Sequence, residues 1–462
     1  MKKLTKYTTS VLLFLSGILV LAPLSSCKKL IVANPSGTKL LTSTVFTDSL
    51  TAQAAVAGMY NSMSYSGSYN FDMAVLPGFS ADELTFIGNN YNQYLNNTIP
   101  TNDPGNSVWA ASYGIIYQAN AIINGVPGSG KLSAKFKNQV LGEALFVRAF
   151  CYFYLTNYYG DVPLVTTTEL SVNQGLARAP AAAVYAQIIA DLKLAQSYLP
   201  ADFTPSGGTD RTRANRFAAT ALLARVYLYQ SDWVNAEAES SAVISSSMFV
   251  PATDLSSVFS TTSHEAILQL YNQAGGYVQF AYSVVPNPVT PVPAYVLTAQ
   301  QIAAFQAGDK RFTAWTASLA YSGNTYVYPY KYKNVSGGNT EYYTLLRISE
   351  QYLIRAEARA QQGNTSGAIT DLNAIHNPSR VNLPVYAGAT DQASVLSAIM
   401  NERRVELFAE WGHRWFDLKR THTADAVLGA EKPTWTPAAA LYPVPVSEIK
   451  LNPKLVQNPG YH

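Results

Sequence analysis

The sequence predicts a mainly α fold, in which pairs of helices stack as a solenoid with long loop insertions and a few short strands. Three observations support it: a helix that is apolar all round, helix pairs rich in small residues, and long aromatic segments between them. The first is the segment 139–165, where Leu141, Leu145 and Tyr152 recur at helical spacing and Phe146 and Phe150 fill other directions. Such a helix belongs in a core.

The ends and the charges of this helix follow from its residues. Gly160 can adopt positive φ just past the last turn and Pro163 cannot continue a helix, so the helix should end at Tyr-Gly-Asp-Val-Pro. Glu143 and Arg148 are charged positions on a surrounded helix. A buried charge must be paired, so we expect Arg148 to bind a carboxylate or carbonyl groups of a neighbouring element.

After the apolar helix, the sequence predicts pairs of helices that are rich in small residues. In the segment 216–229 alanines recur at helical spacing, a turn comes at 230–232, and Trp233 begins a second helix. This spacing resembles a tetratricopeptide repeat, and it recurs at 353–375. The segment 179–199 is a plausible antiparallel partner of the apolar helix. With helices beginning near Ser49 and Trp109, about four pairs should stack, because one pair alone cannot bury its apolar face.

Two aromatic insertions are the candidate binding regions. The segments 65–106 and 250–343 combine tyrosine with Asn, Gly and Pro, and loops of this length are usually functional. Sugar rings stack on aromatic rings and their hydroxyls bond to amides and carboxylates. Packing of loops onto the scaffold is at least as good an explanation for any one residue. The candidate ligand-binding residues are Asp82, Asn89, Tyr91, Asn92, Tyr94, Trp315, Tyr321 and Tyr326.

The segment 400–420 alternates acidic and basic residues at spacings of three and four, with apolar residues between them. We interpret it as an ion-laced helix that supports the core; a catalytic carboxylate pair is the alternative. The C-terminal segment 441–461 is rich in proline and should lie as extended chain over the surface. The residues assigned to structural roles are Glu143, Arg148, Arg216, Glu402, Arg403, Glu406 and Trp415.

The N-terminus has the features of a lipoprotein signal peptide over 1–26. A basic start and an apolar run precede Leu-Ser-Ser-Cys, which resembles a lipobox with Cys27 as the lipidated residue; ordinary secretory cleavage is the alternative. A tether over 27–40 should lead to an N-terminal helical region at 41–250 and a C-terminal region at 251–462, integrated into one fold. Cys151 then stands alone, as a small core residue.

Composition excludes several function classes. The net charge of +3 is small for 462 residues and does not indicate nucleic-acid binding. The five histidines are scattered without metal-ligand spacing, and neither a nucleophile elbow nor a phosphate loop is present. We therefore expect no metal, no cofactor and no catalytic residues.

The run from Glu143 to Phe150, followed by Asn-Tyr-Tyr-Gly-Asp-Val-Pro-Leu, resembles the signature helix of the SusD/RagB family. The lipobox, the segments at Arg216 and Glu402, and the closing Pro-Val-Pro-x-Ser-Glu-Ile and Asn-Pro-Gly-Tyr extend the resemblance over nearly the whole mature chain. It implies a tetratricopeptide-like scaffold, a cell-surface outer-membrane lipoprotein and a SusC-like TonB-dependent transporter as partner. Lys28 and Lys29 depart from the acidic patch of many relatives.

The leading hypothesis is non-catalytic capture of an oligosaccharide or similar nutrient and its delivery to the transporter. The alternative is a solenoid adaptor that binds peptide or protein without a carbohydrate site. A surface glycosidase is the third hypothesis, but it needs two carboxylates at a fixed separation, and none is indicated by the sequence.

Overall fold

The computed structural model describes residues 45–65, 69–103, 107–272 and 275–461. Phe46–His462 forms one compact unit. The predicted signal peptide at 1–26, the tether at 27–40 and the lipidated Cys27 lie outside the described residues.

Helices dominate the described chain, and the strands are few and short, which confirms the predicted fold class. The helices are α1 Ser49–Tyr65, α2 Tyr69–Ser80, α3 Asn92–Leu95, α4 Ser107–Gly125, α5 Ala134–Tyr159, α6 Leu170–Asn173, α7 Ala181–Tyr198, α8 Arg216–Tyr229, α9 Trp233–Ser245, α10 Gln279–Val284, α11 Ala299–Ala304, α12 Lys310–Trp315, α13 Ile348–Gln361, α14 Thr365–Ile375, α15 Pro378–Val381, α16 Gln392–Glu406, α17 His413–Arg420, α18 Ala424–Glu431 and α19 Val446–Leu451. The strands are β1 Leu84–Phe86, β2 Ala266–Leu270, β3 Tyr295–Leu297, β4 Thr316–Tyr321, β5 Asn324–Pro329 and β6 Tyr343–Arg347.

The long helices stack in pairs along the chain. Helix α1 packs on α4, α5 on α7, α8 on α9, and α13 on α14. Neighbouring pairs touch through α4 and α5, α7 and α8, and α9 and α13, so that the apolar faces form one continuous core. Helix α16 closes the last pair, where Val395 and Ile399 join the cluster of Leu353, Ala360 and Leu372.

Helix α5 has more buried residues than any other helix that the structure describes. It begins at Ala134, where the Ser133 side chain accepts a hydrogen bond from the Phe136 amide, and it ends at Gly160 with φ +73°. From Val140 onward almost every residue is buried, because α4, α7 and α8 cover different sides of the helix. This confirms the prediction of a core helix over 139–159.

Buried ion pairs tie the helices together. Arg148 donates to both carboxylate oxygens of Asp191 on α7, at 2.8 and 2.7 Å, which is the carboxylate partner that its burial demanded. Glu143 accepts two hydrogen bonds from Arg213. The prediction for Arg216 is corrected, because this side chain is exposed at the first turn of α8 and Arg225 holds the buried position instead.

The segment 400–420 is two helices, not the one that was predicted. Helix α16 ends at Glu406 and α17 begins at His413, because Ala409, Trp411 and Gly412 all have positive φ. The break changes the ion pairs, which join separate elements: Arg403 donates to Asp417 across the turn. Other buried contacts of the segment include Glu402 with Arg311 and His376, Glu406 with Arg311, Arg347 and Arg380, and Glu410 with Lys331 and Arg347.

Two segments expected to be irregular are ordered in the interior. Helix α2 lies within the predicted loop 65–106 and is buried throughout, although Pro77 stands inside it. The C-terminal chain does not merely cover the surface: Tyr442 and Val444 are fully buried, and Asn458 donates to the Tyr442 carbonyl oxygen. Trp415 is buried beside Tyr442 as the predicted packing role requires.

Candidate functional site

The two aromatic insertions meet through a short β pairing. Strand β1 of the first insertion pairs antiparallel with β3 of the second, with Leu84 opposite Leu297 and Phe86 opposite Tyr295. Thr298 fixes the end of the pair, since its hydroxyl donates to the Asp82 carbonyl oxygen at 2.6 Å. Residues more than 200 positions apart in the sequence therefore form one local surface.

A cluster of four aromatic rings, Phe79, Phe86, Tyr91 and Tyr295, lies at this pairing; we call it the β1 cluster. Its ring centroids lie 4.9 to 6.3 Å apart, and the Tyr91 and Tyr295 hydroxyls are 3.1 Å from each other. Phe79 is buried, whereas Phe86, Tyr91 and Tyr295 are half-buried. Asn89 and Asn92 are exposed beside Tyr91, so this cluster combines aromatic and amide groups.

A second group of tyrosines surrounds a narrow crevice near the end of α1. Tyr65 and Tyr271 are about half exposed, and the Tyr277 and Tyr282 rings stack 4.8 Å apart at 16°. The crevice volume is about 10 Å³, enough for one water-sized group. We call this surface the tyrosine face and define it as Tyr65, Asn70, Tyr271, Asn272, Tyr277, Gln279 and Tyr282.

Helix α2 connects the two groups. Asn70 lines the crevice, and the next residue, Phe71, lies 5.3 Å from the Tyr295 ring of the β1 cluster. Phe71 also touches Phe280 of α10, the helix that carries Gln279 and Tyr282. The Asn70 Oδ1 atom is buried and has no hydrogen-bond partner among the residues that the structure describes. The tyrosine face and the β1 cluster are thus neighbours over one buried helix.

Three of the predicted ligand-binding residues are corrected, because their polar groups are buried and occupied. Asp82 is 2% exposed and accepts two hydrogen bonds from Arg414, while Arg404 forms an ion pair with it at 2.8 Å. The Tyr94 hydroxyl donates to Asp103 inside the fold. Trp315 is fully buried and donates its indole N–H to the Leu255 carbonyl oxygen at 3.0 Å.

The remaining candidates are accessible. Tyr91 belongs to the β1 cluster, and Asn89 and Asn92 are exposed beside it. Tyr321 is 54% exposed at the end of β4, and Tyr326 is half-buried on β5, opposite Leu319. Their ligand contacts stay a prediction. Sequence reasoning missed most of the tyrosine face, including Tyr271 and Tyr282, although the count of 31 tyrosines was a signal that such a surface exists.

A separate apolar groove of about 440 Å³ lies between α4, the segment after Pro163 and α19. Trp109, Tyr113 and Leu455 form its floor, and Leu170 and Leu451 stand 74% and 79% exposed at its edges. Exposed apolar residues around a concave surface are typical of a protein contact site. We refer to this surface, defined by Trp109, Tyr113, Val165, Leu170, Leu451 and Leu455, as the apolar groove.

The buried carboxylates of the segment 400–420 form ion pairs. Arginines hold the pKa of Glu402, Glu406 and Glu410 below the usual range against the opposing effect of burial. Glu83 is the contrast: burial raises its pKa to about 7. A pocket of about 210 Å³ touches Glu402, Arg311 and His376, but these three side chains bond to one another. Within the described residues there is no group of three or more potential metal ligands.

Comparison with known proteins agrees with this architecture. A family model described as starch-binding and associating with the outer membrane matches residues 34–228, and a second, described as the SusD family, matches 300–461. SusD-like protein P2 of Formosa agariphila is 26% identical, over 96% of this chain and 98% of the relative; SusD-like protein P25 of the same organism is 22% identical, over 94% and 97%.

Solved structures share the fold. A SusD-like protein from Bacteroides fragilis superposes with a TM-score of 0.77 at 21% identity, covering 90% of this chain and 98% of that one. A laminarin-binding SusD-like protein gives 0.76 at 24% identity, covering 89% and 99%. The class is therefore a helical, tetratricopeptide-like protein with loop insertions. The chain belongs to the SusD/RagB family.

The family model's description connects its members to the outer membrane. Across the ranges that the structure describes, none of the helices combines the length and apolar character that crossing a bilayer would need.

Proposed function

We propose that this protein is a non-catalytic lipoprotein of the outer membrane that binds a glycan at the tyrosine face and delivers it to a SusC-like TonB-dependent transporter. The observation that carries the proposal is the set of exposed and half-buried tyrosine rings around the Asn70 crevice, with the half-buried Gln279 amide among them. Sugar C–H faces stack on such rings, and amides satisfy the hydroxyls. The laminarin-binding relative with the same fold supports this choice of ligand class.

The crevice lacks the carboxylates that hydrolysis would need among the described residues, which favours a binding role. A glycosidase needs one carboxyl group to donate a proton and a second to act as base or nucleophile, both beside the sugar. The crevice of the tyrosine face is lined by no Asp or Glu among the described residues. If the protein hydrolysed a bound glycan and a single carboxylate substitution abolished this activity, the glycosidase hypothesis would be supported.

Calorimetry against a glycan panel tests the binding proposal. The Tyr277→Ala variant removes one ring of the stacked pair, and we expect it to weaken binding by about 1–2 kcal/mol, or about 5- to 30-fold in Kd. Tyr117→Ala is the matched control, because Tyr117 is 54% exposed on α4 and is not part of the tyrosine face. Equal losses in both variants, or no binding of any glycan, would refute the proposal and favour a peptide ligand.

We also propose the apolar groove as the contact surface for the transporter. Leu170 and Leu451 expose apolar side chains that a partner would remove from water, at about 25 cal/mol per Å² buried. The Leu170→Asp/Leu451→Asp double variant should lose the transporter in a pull-down from outer-membrane extract and keep its glycan affinity. Val234→Asp on α9 is the control for an exposed apolar residue elsewhere. Undiminished recovery with the double variant would exclude this groove as the contact.

Lipid attachment at Cys27 and exposure at the cell surface complete the proposal. Several acyl chains on one cysteine give stable anchoring, so Cys27→Ala should release the protein from the membrane fraction. Protease added to intact cells tests surface exposure despite Lys28 and Lys29. We expect the protein to be digested, and full protection would refute surface exposure.

A further inference from the structure

We infer that the tyrosine face selects uncharged glycans and rejects polysaccharides that carry carboxylate or sulfate groups. This inference rests on the proposed function and specifies the chemical class of its ligand. Every described residue that lines the crevice is uncharged at neutral pH.

Two cations on segments next to the crevice are directed to other partners. Lys333 is one of these cations. The next residue, Asn334, donates its amide to the Gly276 carbonyl oxygen, which adjoins Tyr277. The Lys333 ammonium, however, lies over the Tyr330 ring, 5.4 Å from its centroid. Arg211 donates to the Ala266 carbonyl oxygen at 2.6 Å, and its guanidinium stands over the Phe203 ring at 4.8 Å. Recognition of a carboxylate or sulfate calls for Arg or Lys donors aimed at the ligand. Among the described residues, no Arg or Lys lines the crevice.

An exposed carboxylate near the tyrosine face would repel an anion. The Tyr342 ring lies 5.3 Å from the Tyr271 ring of the face. Burial raises the pKa of the Tyr342 hydroxyl, and Tyr271 and the exposed Asp210 raise it further. An anionic polymer laid across Tyr271 would meet the like charge of Asp210, and like charges in contact disfavour binding.

The test is a titration of the full mature chain with neutral polymers (laminarin, starch, mannan and xylan) and anionic ones (alginate, polygalacturonate and a sulfated galactan). We expect binding only among the neutral polymers, with Kd changing less than about twofold between 50 and 500 mM NaCl, because no ion pair is there to be screened. An anionic polymer that binds wild type and loses affinity in Tyr277→Ala overturns the inference and leaves the proposed function standing. Failure of every polymer overturns the proposed function itself.

A charge-introduction variant makes the test sharper. Gln279→Lys places a cation at the crevice on α10, and Tyr117→Lys places one on α4 as the matched control. If the missing cation is what excludes anions, Gln279→Lys should acquire binding of an anionic polymer, weakened by salt, and Tyr117→Lys should not. A gain in Gln279→Lys no larger than in Tyr117→Lys overturns the inference.

Discussion

Removal of the Arg148 guanidinium should destabilise the protein far more than removal of the whole ion pair. Arg148 and Asp191 are 5% and 3% exposed, and Arg148 also donates to the Asn120 amide oxygen at 2.9 Å. In Arg148→Met the Asp191 carboxylate stays buried, with the Gln187 amide as its remaining side-chain donor. Breaking one partner of such a pair costs about 3–5 kcal/mol.

The double variant Arg148→Met/Asp191→Leu also removes the unpaired Asp191 carboxylate and fills its space with apolar atoms. Replacement of a whole buried pair is often neutral, so we expect it to recover most of that loss, to within about 1–2 kcal/mol of wild type. The assay is urea unfolding followed by tryptophan fluorescence, in which the midpoint reports the change in the free energy of unfolding. If the double variant is as unstable as Arg148→Met, or the single variant costs under about 1 kcal/mol, the argument from burial is wrong.

Three further predictions concern the turn, a buried acid and a corrected residue. Gly412→Ala should destabilise by more than about 1 kcal/mol, because φ is +71° and a Cβ would meet the Pro77 Cγ at 2.7 Å; Gly363→Ala, with φ +82° and open space, should cost less in the same urea assay. Burial raises the pKa of Glu83 to about 7, so its protonated form stabilises the fold below pH 4.5 and this contribution is lost as pH rises through 7. Glu83→Gln should therefore reduce the fall in unfolding free energy between pH 5 and 8 by about 2–3 kcal/mol, and an unchanged fall would contradict the burial argument. Trp315→Phe should lower stability and leave glycan Kd within about twofold, since Trp315 is buried away from solvent; a larger loss of affinity would restore its predicted ligand contact.

The sequence predicted the helical stack because the signals for it are local. The apolar spacing around Phe150, the turn at Gly160 and the small residues of α8 each lie within one or two helical turns. Helix α2 was missed for the same reason: Pro77 and Gly78 are local signals for a loop, and only tertiary packing overrides them.

The candidate site could be predicted only in composition. Aromatic content marked both insertions, but it did not distinguish Trp315, buried over Leu255, from Tyr271, which is 48% exposed. That distinction depends on contacts between distant segments, such as β1 with β3, which no spacing in the sequence encodes. Asp82 was a reasonable candidate until the structure placed Arg414 beside it.

A crystal structure with the tightest-binding neutral oligosaccharide tests the central claim most directly. We expect a sugar ring within about 4 Å of the Tyr277 or Tyr271 ring, the usual separation of apolar groups in contact. A sugar bound in the apolar groove between Trp109 and Leu451, with the tyrosine face empty, would contradict the account.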